Sequence, residues 1–246
     1  MSSHSRFPLK FQSASAMIGL NSRIAKLDNI LGFIQKGKVV FIKGTQSRKH
    51  ILELFCLRSI IQYQNYCIIV DGGNSFDPYL ISKLATISKE NPREILSRII
   101  ISRAFTCHQL ASLIEETERI VDTFPTNFIA ISDILHLFTD PESEVDSYEI
   151  EMIVTKMLEC ICDLTKKDAI VMVTSDTTND WLNRMVESYS DIVFTVRNDK
   201  ETIHIALNKH PSRQNASMEF TVNELTLQSK PDIKHETIEP WLIADG

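Results

Sequence analysis

The segment Gly44-Thr45-Gln46-Ser47-Arg48-Lys49-His50 carries the clearest chemical potential in the chain. It follows the apolar run Val39-Val40-Phe41-Ile42 and leads into a helix-length stretch. A glycine at a strand-to-helix junction lets backbone N–H groups approach an anion, and a lysine and a hydroxyl just beyond it can then hold the phosphates and magnesium of a nucleotide. Read without a gap, Lys49, His50 and Ile51 stand where glycine, lysine and the hydroxyl residue are needed. Sliding by one residue restores Lys49 as the lysine but puts His50 in the hydroxyl position, so the magnesium hydroxyl is missing in either register. The cradle is degenerate, and Gly44 to His50 are its remaining nucleotide-contacting candidates. Elsewhere, Cys56, Cys67, Cys107, Cys160 and Cys162 are odd in number, lack Cys-x-x-Cys spacing and read as reduced core residues. No His/Cys cluster has ligand spacing, so no metal site is expected.

The elements that must position these residues follow from apolar periodicity. Val39 to Lys43, Cys67 to Asp71, Arg98 to Ser102, Phe128 to Ser132 and Ala169 to Thr174 read as strands separated by helix-length segments. The clearest helix is Tyr148 to Leu164, where Ile150, Ile153, Val154, Met157, Leu158, Ile161 and Leu164 recur at three- and four-residue steps. Strands alternating with helices predict an α/β fold with a mostly parallel, doubly wound sheet. Asp191 to Arg197, Glu201 to Asn208 and Ser217 to Val222 follow at short intervals and predict antiparallel C-terminal strands, with Asn198-Asp199 suited to a hairpin turn. At 246 residues, 43% hydrophobic and 24% charged, the chain suits one globular domain. The expected division is a flexible arm over residues 1–17, a core over 18–227 and an acidic tail over 228–246. The apolar runs are too short to cross a bilayer and no signal core opens the chain, so an intracellular protein without membrane contact is expected.

Net charge is -6, but it is unevenly placed. Residues 1–50 hold Arg6, Lys10, Arg23, Lys26, Lys36, Lys38, Lys43, Arg48 and Lys49 against the single acid Asp28, whereas residues 111–160 are strongly acidic. Such a balance argues against a protein that simply coats nucleic acid and makes the basic end, with Arg6, Lys10, Arg23 and Lys26, the candidate for phosphate contacts. The asymmetry also suits a head-to-tail contact between subunits.

Several segments, in order, resemble the RecA/RadA recombinase family. Leu27-Asp28-Asn29-Ile30-Leu31-Gly32 before the first core strand is similar to the family's Leu-Asp-x-x-Leu-Gly segment, and Asp71-Gly72-Gly73-Asn74-Ser75-Phe76 to its Asp-Thr-Glu-Gly-x-Phe turn. Arg103-Ala104-Phe105-Thr106-Cys107-His108-Gln109 resembles the Arg-Ala-aromatic to His-Gln element, one residue shorter. Phe128 to Phe138 resembles the Walker B strand and its exit, Val171 to Thr174 the strand that ends in Thr-Asn-Gln, and Pro211 with Phe220 the C-terminal β segment. The resemblance implies a RecA-like P-loop NTPase fold and a DNA-dependent ATPase ancestry. It also implies losses. Gly73 stands at the catalytic glutamate, Ser132-Asp133 inverts the Walker B Asp-Ser, and Thr174-Ser175-Asp176 replaces Thr-Asn-Gln. Because side chains alternate along a strand, the shifted Asp133 is expected to point away from a magnesium site.

The implied protein is a non-catalytic RadA-type recombinase paralog that assists homologous recombination and DNA repair. Its expected partners are a catalytic RadA-type recombinase or another paralog, with single-stranded DNA as a further one. No cofactor is expected, and a weak contact with ATP and magnesium would fall to the backbone cradle, Arg48 and Lys49. Phe11-Gln12-Ser13-Ala14 is similar to the Phe-x-x-Ala segment with which family members anchor in a neighbour, making Phe11 and Ala14 the partner-binding candidates. The acidic run from Thr139 to Asp146 would repel a phosphate backbone. An active DNA-dependent ATPase of the family and a RecA-shaped adaptor without a role on DNA are the alternatives. The expected compartment is the cytoplasm of a prokaryote or the nucleus of a eukaryote.

Overall fold

The computed structural model describes residues 19–139, 146–199 and 202–225, so the arm 1–17, the tail 228–246 and the run 140–145 lie outside the described residues. The first half of the described chain alternates helices and strands: α1 (Ala25–Leu31), β1 (Val39–Gly44), α2 (Ser47–Tyr63), β2 (Tyr66–Asp71), α3 (Pro78–Ile87), α4 (Pro92–Leu96) and β3 (Ile99–Arg103). It continues with α5 (Cys107–Thr123), β4 (Thr126–Ser132), α6 (Ser147–Thr165), β5 (Ile170–Ser175), α7 (Asp180–Tyr189), β6 (Ile192–Asp199), β7 (Thr202–Lys209), β8 (Ala216–Thr221) and α8 (Val222–Leu225). Each strand expected from the sequence is present within one or two residues, and the expected helix over 148–164 is α6.

One eight-stranded sheet runs in the order β3-β2-β4-β5-β1-β6-β7-β8. Strands β1 to β6 pair in parallel, whereas β6–β7 and β7–β8 are antiparallel. Parallel strands bury both faces, and the period-two pattern divides their side chains accordingly. Val40, Ile42, Ile69, Phe128, Met172 and Phe194 pack with residues of α1, α2, α3 and α4. Val39, Phe41, Val70, Ile131, Val173 and Val193 pack with α5, α6 and α7 on the opposite face. The antiparallel end keeps only one buried face, with Ile203, Ile205 and Leu207 inward and His204 and Ala206 half-exposed.

Side-chain caps fix where the helices begin. Asp77, Asn91, Thr106, Asp146 and Asn179 each accept a first-turn backbone N–H, and Pro78 and Pro92 open their helices where no intrahelical donor is needed. The hairpin reading needs correction. Asn198 pairs with Ile203 and Asp199 with Thr202, so both belong to β6 rather than to a turn. The reason is that Asn198 is held by side chains of the β1–α2 junction, which extends β6. Among the described residues no helix is long and apolar enough to cross a membrane.

Gly44 sets how closely β1 and β6 approach. Its φ is +125°, and a Cβ there would lie 1.9 Å from the Val196 carbonyl oxygen. Gly44→Ala is therefore expected to separate the two strands or leave the chain unfolded, with a stability loss of about 3 kcal/mol or more in a denaturant titration. A loss below about 1 kcal/mol would mean the strands do not meet there as described.

Candidate functional site

The candidate site lies where the carboxyl ends of β1, β5, β4 and β2 adjoin, the edge at which open α/β sheets take ligands. Only Thr45 and Gln46 separate β1 from α2. Their short span leaves the first-turn donors already engaged: Thr45 N–H donates to Val196 O (2.9 Å), Arg48 N–H to Thr45 O (3.0 Å) and Lys49 N–H to Gln46 O (3.1 Å). Asn198 latches the junction to β6, donating its backbone N–H to Thr45 Oγ1 (2.9 Å) and its side-chain amide to Ser47 Oγ (2.8 Å).

Arg48 fills the space above this junction. It is 3% exposed, donating from Nε (2.9 Å) and Nη2 (2.7 Å) to Asp133 Oδ1 and from Nη1 to Gly44 O (3.0 Å). Asp176 Oδ2 lies 3.1 Å from Nη2, and Lys49 Nζ lies 3.7 Å from Asp133 Oδ2. Asp133 is itself only 1% exposed, and Thr174 Oγ1 both donates to Asp133 Oδ1 (3.1 Å) and accepts from its backbone N–H (2.9 Å). A buried guanidinium and carboxylate joined by two hydrogen bonds tolerate the loss of water that would be prohibitive for either alone.

The expected orientation of Asp133 is corrected here. Asp133 lies past the end of β4 and takes a left-handed φ of 52°, so strand alternation no longer governs it and its carboxylate turns into the rim. Ser132, still in the strand, donates instead to Asp71 Oδ1 (2.6 Å). Asp71 is fully buried, accepts from the backbone N–H groups of Ser75 and Phe76, and has Arg103 Nε 3.4 Å away. Gly73 makes room for the turned Asp133: a Cβ at residue 73 would lie 2.5 Å from Asp133 Oδ2 and 2.6 Å from its Cβ. Arg48, Gly73, Asp133 and Asp176 are thus parts of one packed unit.

As built, this strand end does not fit a magnesium nucleotide. Arg48 occupies the cradle, Lys49 is directed to Asp133, Ser47 Oγ is tied to Asn198, and the backbone donors of Thr45, Arg48 and Lys49 are engaged. Of the candidates from Gly44 to His50, the structure brings Gly44, Arg48 and Lys49 together with Asp133, while Thr45, Gln46 and Ser47 serve the junction. His50 turns to the α3 side, where burial lowers its pKa and its Nδ1 meets no partner among the described residues. Thr174 and Asp176 were singled out in the sequence only as stand-ins for Thr-Asn-Gln and Asn198 only as a turn residue; that they bond Asp133, Arg48 and Ser47 was not foreseen. The signal for a buried partner was Arg48 itself, three and four positions before the buried Ile51 and Leu52 on the inner face of α2. Among the described residues no group of three or more His, Cys, Asp or Glu side chains is placed to hold a metal.

Among the described residues the lysines of the basic end are largely paired within the molecule. Lys26 pairs with Glu224 and lies 5.0 Å over the Phe220 ring, Lys36 pairs with Asp168, Lys38 with Asp191 and Lys43 with Glu187. Of the phosphate-contact candidates, Arg23 is exposed, Lys26 is engaged, and Arg6 and Lys10 lie outside the described residues, as do Phe11 and Ala14.

Behind the rim, Glu53 of α2 is 4% exposed and accepts from the Asp77 backbone N–H (2.9 Å), while its Oε2 has no partner among the described residues. Burial, with the nearby carboxylates of Asp77 and Asp71, pushes its pKa up to about 8 from the ordinary 4.5, against the pull of the Asp77 N–H and Lys49. A carboxyl whose pKa is raised on folding stabilises the fold fully below the unfolded value and loses that contribution as pH rises through the folded value. Melting of the wild type is therefore expected to weaken between pH 4.5 and about 8. Glu53→Gln should remove a component on the order of 4 kcal/mol from that decline, and parallel pH profiles for the two proteins would refute the assignment. Gly73→Ala, which puts a methyl group against Asp133, is expected to lower stability by about 2 kcal/mol in denaturant titration, and a neutral result would separate Gly73 from the Arg48 cluster.

No protein-family model matches the chain and no curated protein matches it, so the rim's geometry and the order of the resembling segments carry the functional reading.

Proposed function

We propose that the chain is a non-catalytic RadA-type recombinase paralog with a RecA-like P-loop fold, which assists homologous recombination and DNA repair by binding recombinase filaments. The observation that carries this reading is the burial of Arg48 against Asp133 inside the degenerate cradle. The carboxylate that resembles the Walker B ligand is engaged by a side chain of the cradle itself. Convergence supports the family reading. The segments likened to the P-loop, the catalytic-glutamate turn, Walker B and Thr-Asn-Gln lie far apart in sequence, yet they follow β1, β2, β4 and β5 and meet at one rim.

A subunit that does not hydrolyse ATP at its own rim can still present other surfaces to an active neighbour. Phe105, Tyr148 and Met152 are exposed, and the His108–Glu149 contact at 3.6 Å brings the starts of α5 and α6 side by side. Clustered exposed apolar side chains of this kind commonly mark protein-binding surfaces. Contact with single-stranded DNA falls to Arg6, Lys10 and Arg23, because Lys26 is engaged by Glu224.

Capture of the source cell's RadA-type recombinase by the purified chain tests the proposal, together with phosphate release in the presence of single-stranded DNA. Expected are capture, weakened by about 2 kcal/mol or more in Phe11→Ala, and phosphate release at background. Failure to capture the recombinase removes the paralog role, and turnover that disappears in Lys49→Ala establishes the active ATPase instead.

A further inference from the structure

A guanidinium that is 3% exposed must be neutralised where it lies, and each of three neighbouring strand ends supplies an acceptor to Arg48. Gly44 O closes β1, Asp133 follows β4 and Asp176 follows β5, at 3.0, 2.7 and 3.1 Å from guanidinium nitrogens. In sheet order β5 lies between β4 and β1, so one planar cation spans adjacent parallel strands. Thr174, at the end of β5, completes the ring by bonding Asp133 in both directions. Planar geometry with several fixed donors suits guanidinium to this bridging, which a flexible ammonium group performs less specifically.

We propose that Arg48 is the resident cation of the rim: its guanidinium takes the place of an external ligand and clamps the ends of β1, β4 and β5, so the rim keeps one arrangement with or without nucleotide. The inference deepens the non-catalytic reading and rests on it for identifying the cradle. Removing the arginine strips Asp133 of two guanidinium hydrogen bonds and leaves it Thr174 Oγ1 and the longer Lys49 contact at 3.7 Å, whereas supplying a free guanidinium to the space restores them.

Thermal melting of the full chain with ethylguanidinium as the probe tests this. Arg48→Ala is expected to melt on the order of 10 °C below the wild type. Millimolar ethylguanidinium chloride should then raise its melting temperature saturably while leaving the wild type and Arg48→Ala/Asp133→Ala unchanged. Magnesium-ATP should leave wild-type melting unmoved. Equal melting of Arg48→Ala and wild type, or a destabilised variant that ethylguanidinium does not rescue, would reduce Arg48 to a space-filling residue. Saturable stabilisation of the wild type by magnesium-ATP would overturn the clamp, because the rim would then admit an external ligand. Should Arg48→Ala not fold, the Arg48 Nε–H resonance of the wild type decides: slow exchange with water, unchanged by magnesium-ATP, supports the clamp, and fast exchange overturns it. These measurements need no partner, so their failure is distinct from a failure to capture the recombinase.

Discussion

The buried pair of Arg48 and Asp133 is the interaction on which the arrangement of the rim depends. Neither charge is tolerable alone at 3% and 1% exposure, so each dictates the conformation of the other. Asp133 adopts a left-handed backbone to reach the guanidinium, Gly73 must lack a side chain to admit that turn, and Thr174 is oriented to serve both backbone and side chain of Asp133. The short Thr45-Gln46 junction then seats α2 directly on the end of β1, bringing Arg48 within reach.

Desolvation decides how such a pair contributes. Bringing two charges out of water offsets much of their mutual attraction, so a buried pair adds less net stability than its bonds suggest, while deletion of one member is costly. The pair therefore selects one arrangement more than it strengthens the fold, and stability comes from the two apolar layers on either face of the sheet. Glu53 follows the same rule with a different outcome. Its single accepted hydrogen bond does not compensate burial, and the carboxyl responds by holding its proton to about pH 8.

The fold was legible because periodicity records burial. Two-sided apolar runs marked the parallel strands, and the three- and four-residue spacing from Ile150 to Leu164 marked α6. Asn198-Asp199 read as a turn because of its turn chemistry, but the side-chain latch between Asn198, Thr45 and Ser47 joins residues about 150 positions apart and outweighs local preference, keeping both residues in β6. The rim was half legible. Gly44 and the residues after it marked the strand-to-helix junction at which the rim is built, whereas Asp133 was misoriented because strand alternation was extended one residue past the strand. Internal pairing was likewise hidden in the sequence: Lys36, Lys38 and Lys43 look unpaired there, yet their acids come from Asp168, Asp191 and Glu187 across the fold.

The contact between Gly73 and Asp133 bears on how this rim changes over evolutionary time. On the reading proposed above, a glutamate restored at residue 73 would meet Asp133 before any hydrolytic chemistry returned, and Asp133 could not withdraw while Arg48 remained buried beside it. Replacing Arg48 first would strand the carboxylate. Each single step back leads through a less stable protein, while the concerted set of changes does not arise in one step. On that same reading the packing at this one glycine would act as a ratchet, with selection for folding alone keeping the rim as it is.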